Sequence, residues 1–293
     1  MELSLICPPQ HIEYTSLLPG RFCLADVALA NHAYRDYFGT ASDDGYEVIL
    51  DNGVFEGNLI QDKELLELMT VLRPAVLIIP DILNGHTETN YQRALDFLET
   101  AVPIRDAQSP KTKFMFVPQC TYPSHCLNTN ERNAKRERFW HWLWQAVSNK
   151  DISWLGICRD AVFNAFGDIT QTQDQEINRF YFGCLFQPGG LETLKISNVK
   201  LHYLGVGDDV NMLRYYWYVD SMDTASFFWH GTYYNKMQCG RLPSVLKRPK
   251  DYFRRPFTME RSMDEAIKWN CQQAQVMSDQ ANALRRIINR ERV

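Results

Sequence analysis

The chain has 293 residues, 45% hydrophobic and 23% charged, proportions that suit a soluble globular protein with ample material for a large core. Its formal net charge of -4 and pI near 6.0 exclude a nucleic-acid binder held by bulk positive charge, though not one with a local basic groove. The opening MELSLICPPQHIEYT carries a glutamate at position 2 and too short an apolar run for a signal peptide. No apolar stretch approaches the roughly 20 residues that span a bilayer, so a cytosolic protein without a membrane partner is expected.

In chain order, short apolar runs occur at residues 3–8, 22–29, 46–53, 75–81, 113–119, 153–159, 200–207 and 221–229. Several are continuously apolar rather than alternating, the pattern of strands buried on both faces of a parallel sheet. Helical patterns lie between many of them. Residues 61–72 place Leu65, Leu66, Met69 and Leu72 on one side and stop before a proline. Residues 87–102 and 131–149 are amphipathic, and 208–219 begins with two aspartates, favourable at a helix N-terminus. A last helix over about 262–292 carries Ile267, Ala274, Met277, Ala281, Leu284 and Ile288 as a packing stripe. Strand–helix alternation repeated about eight times predicts an α/β fold, a (β/α)8 TIM-like barrel with a C-terminal helical extension. An open doubly wound sheet is the alternative, weakened by the lack of a G-x-G-x-x-G after the first strand. With no linker or repeat, residues 1–293 read as a single domain: barrel over about 1–232, basic and helical extension over about 233–293.

The cysteines are scattered without a C-x-x-C pair, as expected of reduced thiols. The nearest approach to a metal pattern, Cys120, His125 and Cys126, matches no usual zinc spacing, so no metal is expected there.

Barrels of this kind build their active sites at the C-terminal ends of the strands. Those ends carry Asp51-Asn52-Gly53, Asp81, Gln119, Gly156 to Arg159, Gly205-Val206-Gly207 and Asp223. An aspartate directly after VIL or LIIP is unfavourable without a partner. Each alone fits a helix cap or a satisfied structural carboxylate equally well. Three aspartates, a glutamine and two glycine turns at one end of successive strands point instead to a pocket. A carboxylate accepts two parallel hydrogen bonds, and guanine's Watson–Crick edge presents N1–H and the exocyclic amine as such donors. Gln119 suits a carbonyl oxygen, Phe55 offers a stacking face, and glycines let backbone amides approach closely. Two further carboxylates suit covalent work at a sugar carbon, one as nucleophile and one as proton shuttle. That is the logic of a retaining glycosidase with a second base in place of water.

Together these motifs resemble the tRNA-guanine transglycosylase family over roughly residues 46–232. That family exchanges guanine for a 7-deazaguanine on a (β/α)8 barrel. Its D-S-G-G-F-Q looks like DNGVFE (Asp51 to Glu56), and its recognition aspartate looks like Asp81 in LIIPDIL. Its glutamine after an apolar strand looks like Gln119, and its base-binding glycine segment looks like LGICRD around Gly156. Its Y-L-x-G-V-G looks like HYLGVG, with Gly205 and Gly207, and its V-D-x-F-D looks like YVDSMDTAS. The resemblance implies that Asp223 is the nucleophile that bonds C1′ and that Asp51 is the general acid/base. Asn52, Phe55, Asp81, Gln119, Gly156, Gly205 and Gly207 would bind the base, and Asp220 would be structural. It implies no ATP and no redox cofactor.

The sequence departs from the family pattern in places. Asn52 stands for serine, Val54 for the second glycine and Glu56 for glutamine, and Cys120-Thr121 follows Gln119 where the family has glycines. The family's C-x-C-x-x-C zinc motif is absent after Asp223, where only Cys239 and Cys271 remain. In its place LKRPKDYFRRPF offers Lys247, Arg248, Lys250, Arg254 and Arg255, interleaved with Tyr252 and Phe253. This suits phosphate contacts plus stacking, or equally a solvated basic turn. Compactness and the missing zinc motif make the chain look more like the DNA-guanine transglycosylases of phages and bacterial DNA-modification clusters. The expected partners are DNA, or alternatively tRNA, and a free 7-deazaguanine base such as 7-cyano-7-deazaguanine, in a possible homodimer. The contrasting expectation is a non-catalytic nucleic-acid-binding subunit that keeps the barrel. The presence of both Asp51 and Asp223 weighs against it.

Overall fold

The computed structural model describes residues 1–54, 57, 60–121, 129–170, 199–207, 209–243, 246, 248–249, 251–254 and 258–290. The strands are β1 (Glu2–Leu5), β2 (Arg21–Cys23), β3 (Val48–Leu50), β4 (Val76–Ile78), β5 (Lys113–Phe116), β6 (Ile152–Cys158), β7 (Lys200–Leu204) and β8 (Ser221–Thr224). All pair in parallel in one 8-stranded sheet, in the order β1-β8-β7-β6-β5-β4-β3-β2. A parallel bridge between Ser4 and Gly20, with Gly20 N–H donating to Leu3 O at 2.8 Å, brings the ends of the sheet together. A side chain on residue 20 would crowd that seam, its Cβ lying 2.3 Å from Ser4 Oγ and 3.0 Å from Leu3 O. The fold is a (β/α)8 barrel with a C-terminal helix, as the alternation of apolar runs predicts.

The helices are α1 (Ala25–Ala30), α2 (His32–Asp43), α3 (Asp62–Leu72), α4 (Thr87–Gln108), α5 (Thr129–Ser148), α6 (Arg159–Thr170), α7 (Ser226–Gly231) and α8 (Arg261–Arg290). From α1 to α6 each packs on the next around the outside of the barrel. On α3, Leu65, Leu66, Met69 and Leu72 are all buried, so the periodicity named its inner face. A capping box starts that helix, with Gln61 N–H donating to the Glu64 carboxylate at 3.0 Å, and a left-handed Arg73 before Pro74 ends it.

Four segments differ from their sequence expectations. The apolar runs at 22–29 and 221–229 each cover a strand and a helix, because α1 and α7 bury their own apolar residues directly behind β2 and β8. Helix α4 runs past the expected stop at Pro103 to Gln108. Proline there removes one backbone donor, while Ala101 stays buried and Arg105 pairs with Asp106 and Asp151 beyond it. The helix expected over 208–219 is only a 3-10 turn at Val210–Tyr215. Asp209 caps it, and the edge-to-face packing of Tyr203, Tyr216 and Tyr218 diverts the chain out of helical geometry.

Helix α8 packs along α7, the 3-10 turn at Val210–Tyr215 and β1. Ile267, Ala274 and Ala281 are fully buried and Met277 packs on the core, whereas Leu284 is exposed. Among the described residues no helix is long and apolar enough to cross a membrane.

Candidate active site

A cavity of about 520 Å³ opens at the C-terminal ends of the strands. Asp51, Asn52, Asp81, Gln119, Gly205, Asp223 and Arg248 all line it, joined by Cys158, Arg159, Asp160 and Trp229. Residues in or just after β3 to β8 therefore meet at one mouth, joined by Trp229 from α7 and by Arg248.

The turn after β3 is built by its own side chains. Gly53 has φ of 74°, a left-handed value suited to glycine, and donates its N–H to Asp51 Oδ2 at 3.2 Å. Val54 N–H donates to Asn52 Oδ1 at 3.1 Å. Asn52 then reaches across to the next strand, where Nδ2 donates to Ile79 O at 2.9 Å and to Asp81 Oδ1 at 2.7 Å. On the other side of Asp81, Gln119 Nε2 donates to Oδ2 at 2.6 Å. Asp81 thus lies between two amides contributed by β3 and β5. Burial pushes its carboxyl above the ordinary value, and the two amide donors partly offset that rise.

Residues behind these hold them. Asn90 on α4, fully buried, accepts from Ile82 N–H at 2.6 Å and donates to Ile82 O and His86 O, fixing the loop that carries Asp81. Thr87 Oγ1 donates to Gln119 O at 2.6 Å, and Asn164 Nδ2 donates to Cys120 O at 2.8 Å.

Asp223 sits on β8 opposite this group. Its Oδ1 accepts the Gly205 N–H at 3.0 Å and lies 3.0 Å from His202 Nε2. Gly205 has φ of 73°, and this turn out of β7 aims its amide at the carboxylate. His202 is fully buried, with Nδ1 2.7 Å from Ser221 Oγ. Its ring stacks on Phe22 at 5.5 Å, and since β2 and β7 are not neighbours in the sheet, that contact crosses the barrel interior. Among the described residues no hydrogen bond reaches Asp223 Oδ2. Sequence reasoning assigned nothing to His202 or Ser221. The available signal was a polar side chain inside the apolar run KLHYLG, which demands a partner.

The remaining expected residues are placed as follows. Gly156 lies within β6 rather than on the cavity wall, and a Cβ there would meet Val117 Cγ2 at 2.8 Å and Met115 Sδ at 2.9 Å, so its smallness serves barrel packing. Gly207 does not line the cavity. Asp220 is at the opposite end of β8, bonded by Arg285 at 2.9 Å and by Leu201 N–H at 2.9 Å. Arg248 stacks over Phe253 at 4.9 Å and Tyr252 at 5.6 Å. Both rings are buried against the core near Trp229, so they are not open faces for nucleobases. Arg254 is exposed on a 3-10 turn. Phe55, Glu56, Lys247, Lys250, Arg255, His125 and Cys126 lie outside the described residues.

A second cavity, of about 680 Å³ between the start of α4 and α5, is lined by Cys120, Thr121, Lys135 and Arg138 and borders residues outside the described set. Burial pushes the Cys120 thiol up to about 11 and the Cys271 thiol up to about 12, leaving neither as a ready thiolate ligand. Cys239 is exposed while Cys271 is buried in α8, and among the described residues no group of three His, Cys, Asp or Glu side chains could hold a metal.

In comparisons with known proteins, no family model matches the sequence and no curated protein matches it.

Proposed function

We propose that the protein is a guanine transglycosylase that exchanges guanine in DNA for a free 7-deazaguanine base. The observation that carries this reading is that one cavity contains two carboxylates, Asp51 and Asp223, beside the Asn52–Asp81–Gln119 hydrogen-bonded group. A volume of about 520 Å³ suits a nucleoside-sized ligand.

In this mechanism Asp223 Oδ2 attacks C1′ of the target nucleotide and forms a glycosyl ester. The C1′–N9 bond breaks, and guanine leaves with a proton supplied by Asp51. The incoming deazaguanine gives its N9 proton to the Asp51 carboxylate and attacks C1′, which releases Asp223. Asp81 accepts from N1–H and the exocyclic amine of each base. Gln119 and Asn52 hold Asp81 in place for this, since each donates to one of its oxygens. The target base has to leave the stack, because C1′ and the Watson–Crick edge are shielded in a duplex. DNA is preferred over tRNA on the sequence after Asp223, which replaces C-x-C-x-x-C with a basic segment.

The test is incubation of single-stranded DNA, duplex DNA and tRNA with the protein and labelled 7-cyano-7-deazaguanine. Label is expected in DNA. Label entering tRNA alone overturns the choice of polymer, and label in neither overturns base exchange.

A further inference from the structure

The geometry points to His202 as the positioning residue of the proposed nucleophile, with Ser221 anchoring its ring. The inference rests on the transglycosylase reading and adds a role that the strand-end residues do not supply.

Asp223 Oδ1 faces two nitrogens, Gly205 N and His202 Nε2, each at 3.0 Å. The amide is a donor only. The histidine nitrogen holds the carboxylate only when it also carries a proton; as an acceptor it would face the oxygen lone pair to lone pair. An ionised carboxylate only accepts, so Asp223 itself keeps the ring proton on Nε2, and Nδ1 of the neutral ring is left to accept. Ser221 Oγ, 2.7 Å from Nδ1, serves that second nitrogen and fixes the ring with its Nε2 proton pointing at Asp223. Phe22 stacked on one face keeps the ring in plane with both partners. Ser221 and Asp223 lie two residues apart on β8, so their side chains share its inner face and the ring bridges them from β7.

The arrangement divides the labour between the two oxygens. Oδ1 is held by two donors, and Oδ2 is the one presented for attack on C1′. In the glycosyl ester, Oδ2 carries the sugar and Oδ1 is the carbonyl oxygen, still held by His202 Nε2–H and Gly205 N–H. When the incoming base displaces the ester, the electron pair of the C1′–O bond returns to the carboxylate. The two donors stabilise that negative charge as it forms. They also make the unreacted carboxylate less nucleophilic, so their net effect favours release of the enzyme over its capture by the sugar.

The experiment measures both the rate of exchange and the fraction of protein covalently attached to DNA, by rapid denaturation and intact-mass analysis. Wild type, Ser221→Ala, Ser221→Thr, His202→Gln and the His202→Gln/Ser221→Ala double variant are compared, and thermal unfolding confirms that each folds. Ser221→Ala removes one hydroxyl and leaves the buried Nδ1 without its partner, so the ring is no longer fixed against Asp223. Exchange is expected to fall about tenfold while the attached fraction rises, since release slows and capture does not. Ser221→Thr keeps the hydroxyl and restores exchange. His202→Gln has an amide donor but no Nδ1 for the serine to hold, so adding Ser221→Ala to it changes exchange by less than about twofold. The inference is overturned if Ser221→Ala leaves exchange unchanged, lowers the attached fraction in step with exchange, or costs the same factor in both backgrounds. Wild-type protein that neither exchanges bases nor forms an adduct overturns the transglycosylase reading itself.

Discussion

Asp220 and Asp223 stand three residues apart on one stretch of chain, yet they belong to opposite ends of the barrel. At the lower end Asp220 meets a full positive charge, with Arg285 on Oδ1 and Leu201 N–H on Oδ2. Both oxygens are occupied and the charge is neutralised. At the mouth Asp223 is nearly buried, and its partners are an amide and an imidazole, both on Oδ1. Asp81 is treated likewise, between two neutral amides. Asp220 is thus matched by a cation, whereas Asp81 and Asp223 at the mouth are held by amides and an imidazole. The identity of the partner distinguishes the two uses where the residue type does not.

The contrast can be broken or sharpened by substitution. Asp223→Asn should lower base exchange by roughly a thousandfold or more, with unfolding temperature nearly unchanged, and Asp51→Asn by roughly 10²–10⁴-fold. Exchange surviving Asp223→Asn would place the nucleophile elsewhere. Gly205→Ala has open space for its methyl, so its penalty is the left-handed backbone, about 1–2 kcal/mol. It should also lower the turnover rate of exchange roughly 5–10-fold as the amide shifts from Asp223, about the value of one hydrogen bond. Asp220→Ala should do the reverse. Because Arg285 is partly solvated, the stability lost is about 1–2 kcal/mol, seen as a fall of about 2–4 °C in Tm, with kcat unaffected. A large loss of kcat there would erase the distinction between the two ends.

The smallest effect concerns pH. The Asp81 carboxyl is raised above its ordinary value of 3.8, first by burial. Above that value the folded protein retains a proton that the unfolded chain has released, so stability falls as pH rises through the window that starts there. Asp81→Asn abolishes this titration. The Tm of the variant relative to wild type should therefore climb as the pH rises above about 4. A flat difference would mean that the amides offset burial completely.

Much of the barrel is legible in sequence because its strands are buried on both faces and therefore read as uninterrupted apolar runs ending in polar turns. Asp51, Asp81, Gln119 and Asp223 are legible for the same reason, since a carboxylate or amide just past such a run has no local apolar role. The contacts that orient them are not. His202 meets Ser221 and Asp223 only through the register of β7 on β8, and Arg285 finds Asp220 from a helix far along the chain. Nor does composition distinguish an aromatic that stacks on a base from one that packs a core. Tyr252 and Phe253 sit among basic residues in the sequence but turn inward in the structure, leaving Arg248 to lie over them.

The sheet order has a consequence for biosynthesis. β1 is made first, but its register partner is β8, with Leu5 opposite Thr224. At roughly 5–20 residues per second, a nascent β1 waits on the order of ten to forty seconds for that partner to emerge. Throughout that interval an apolar strand edge is exposed, the situation in which chaperones are needed. A ribosome-stalled chain ending before residue 221 should accordingly be cleaved readily by protease, and one that includes α8 should resist. Resistance in the shorter chain would show that the seam at Ser4 and Gly20 holds β1 without its neighbour.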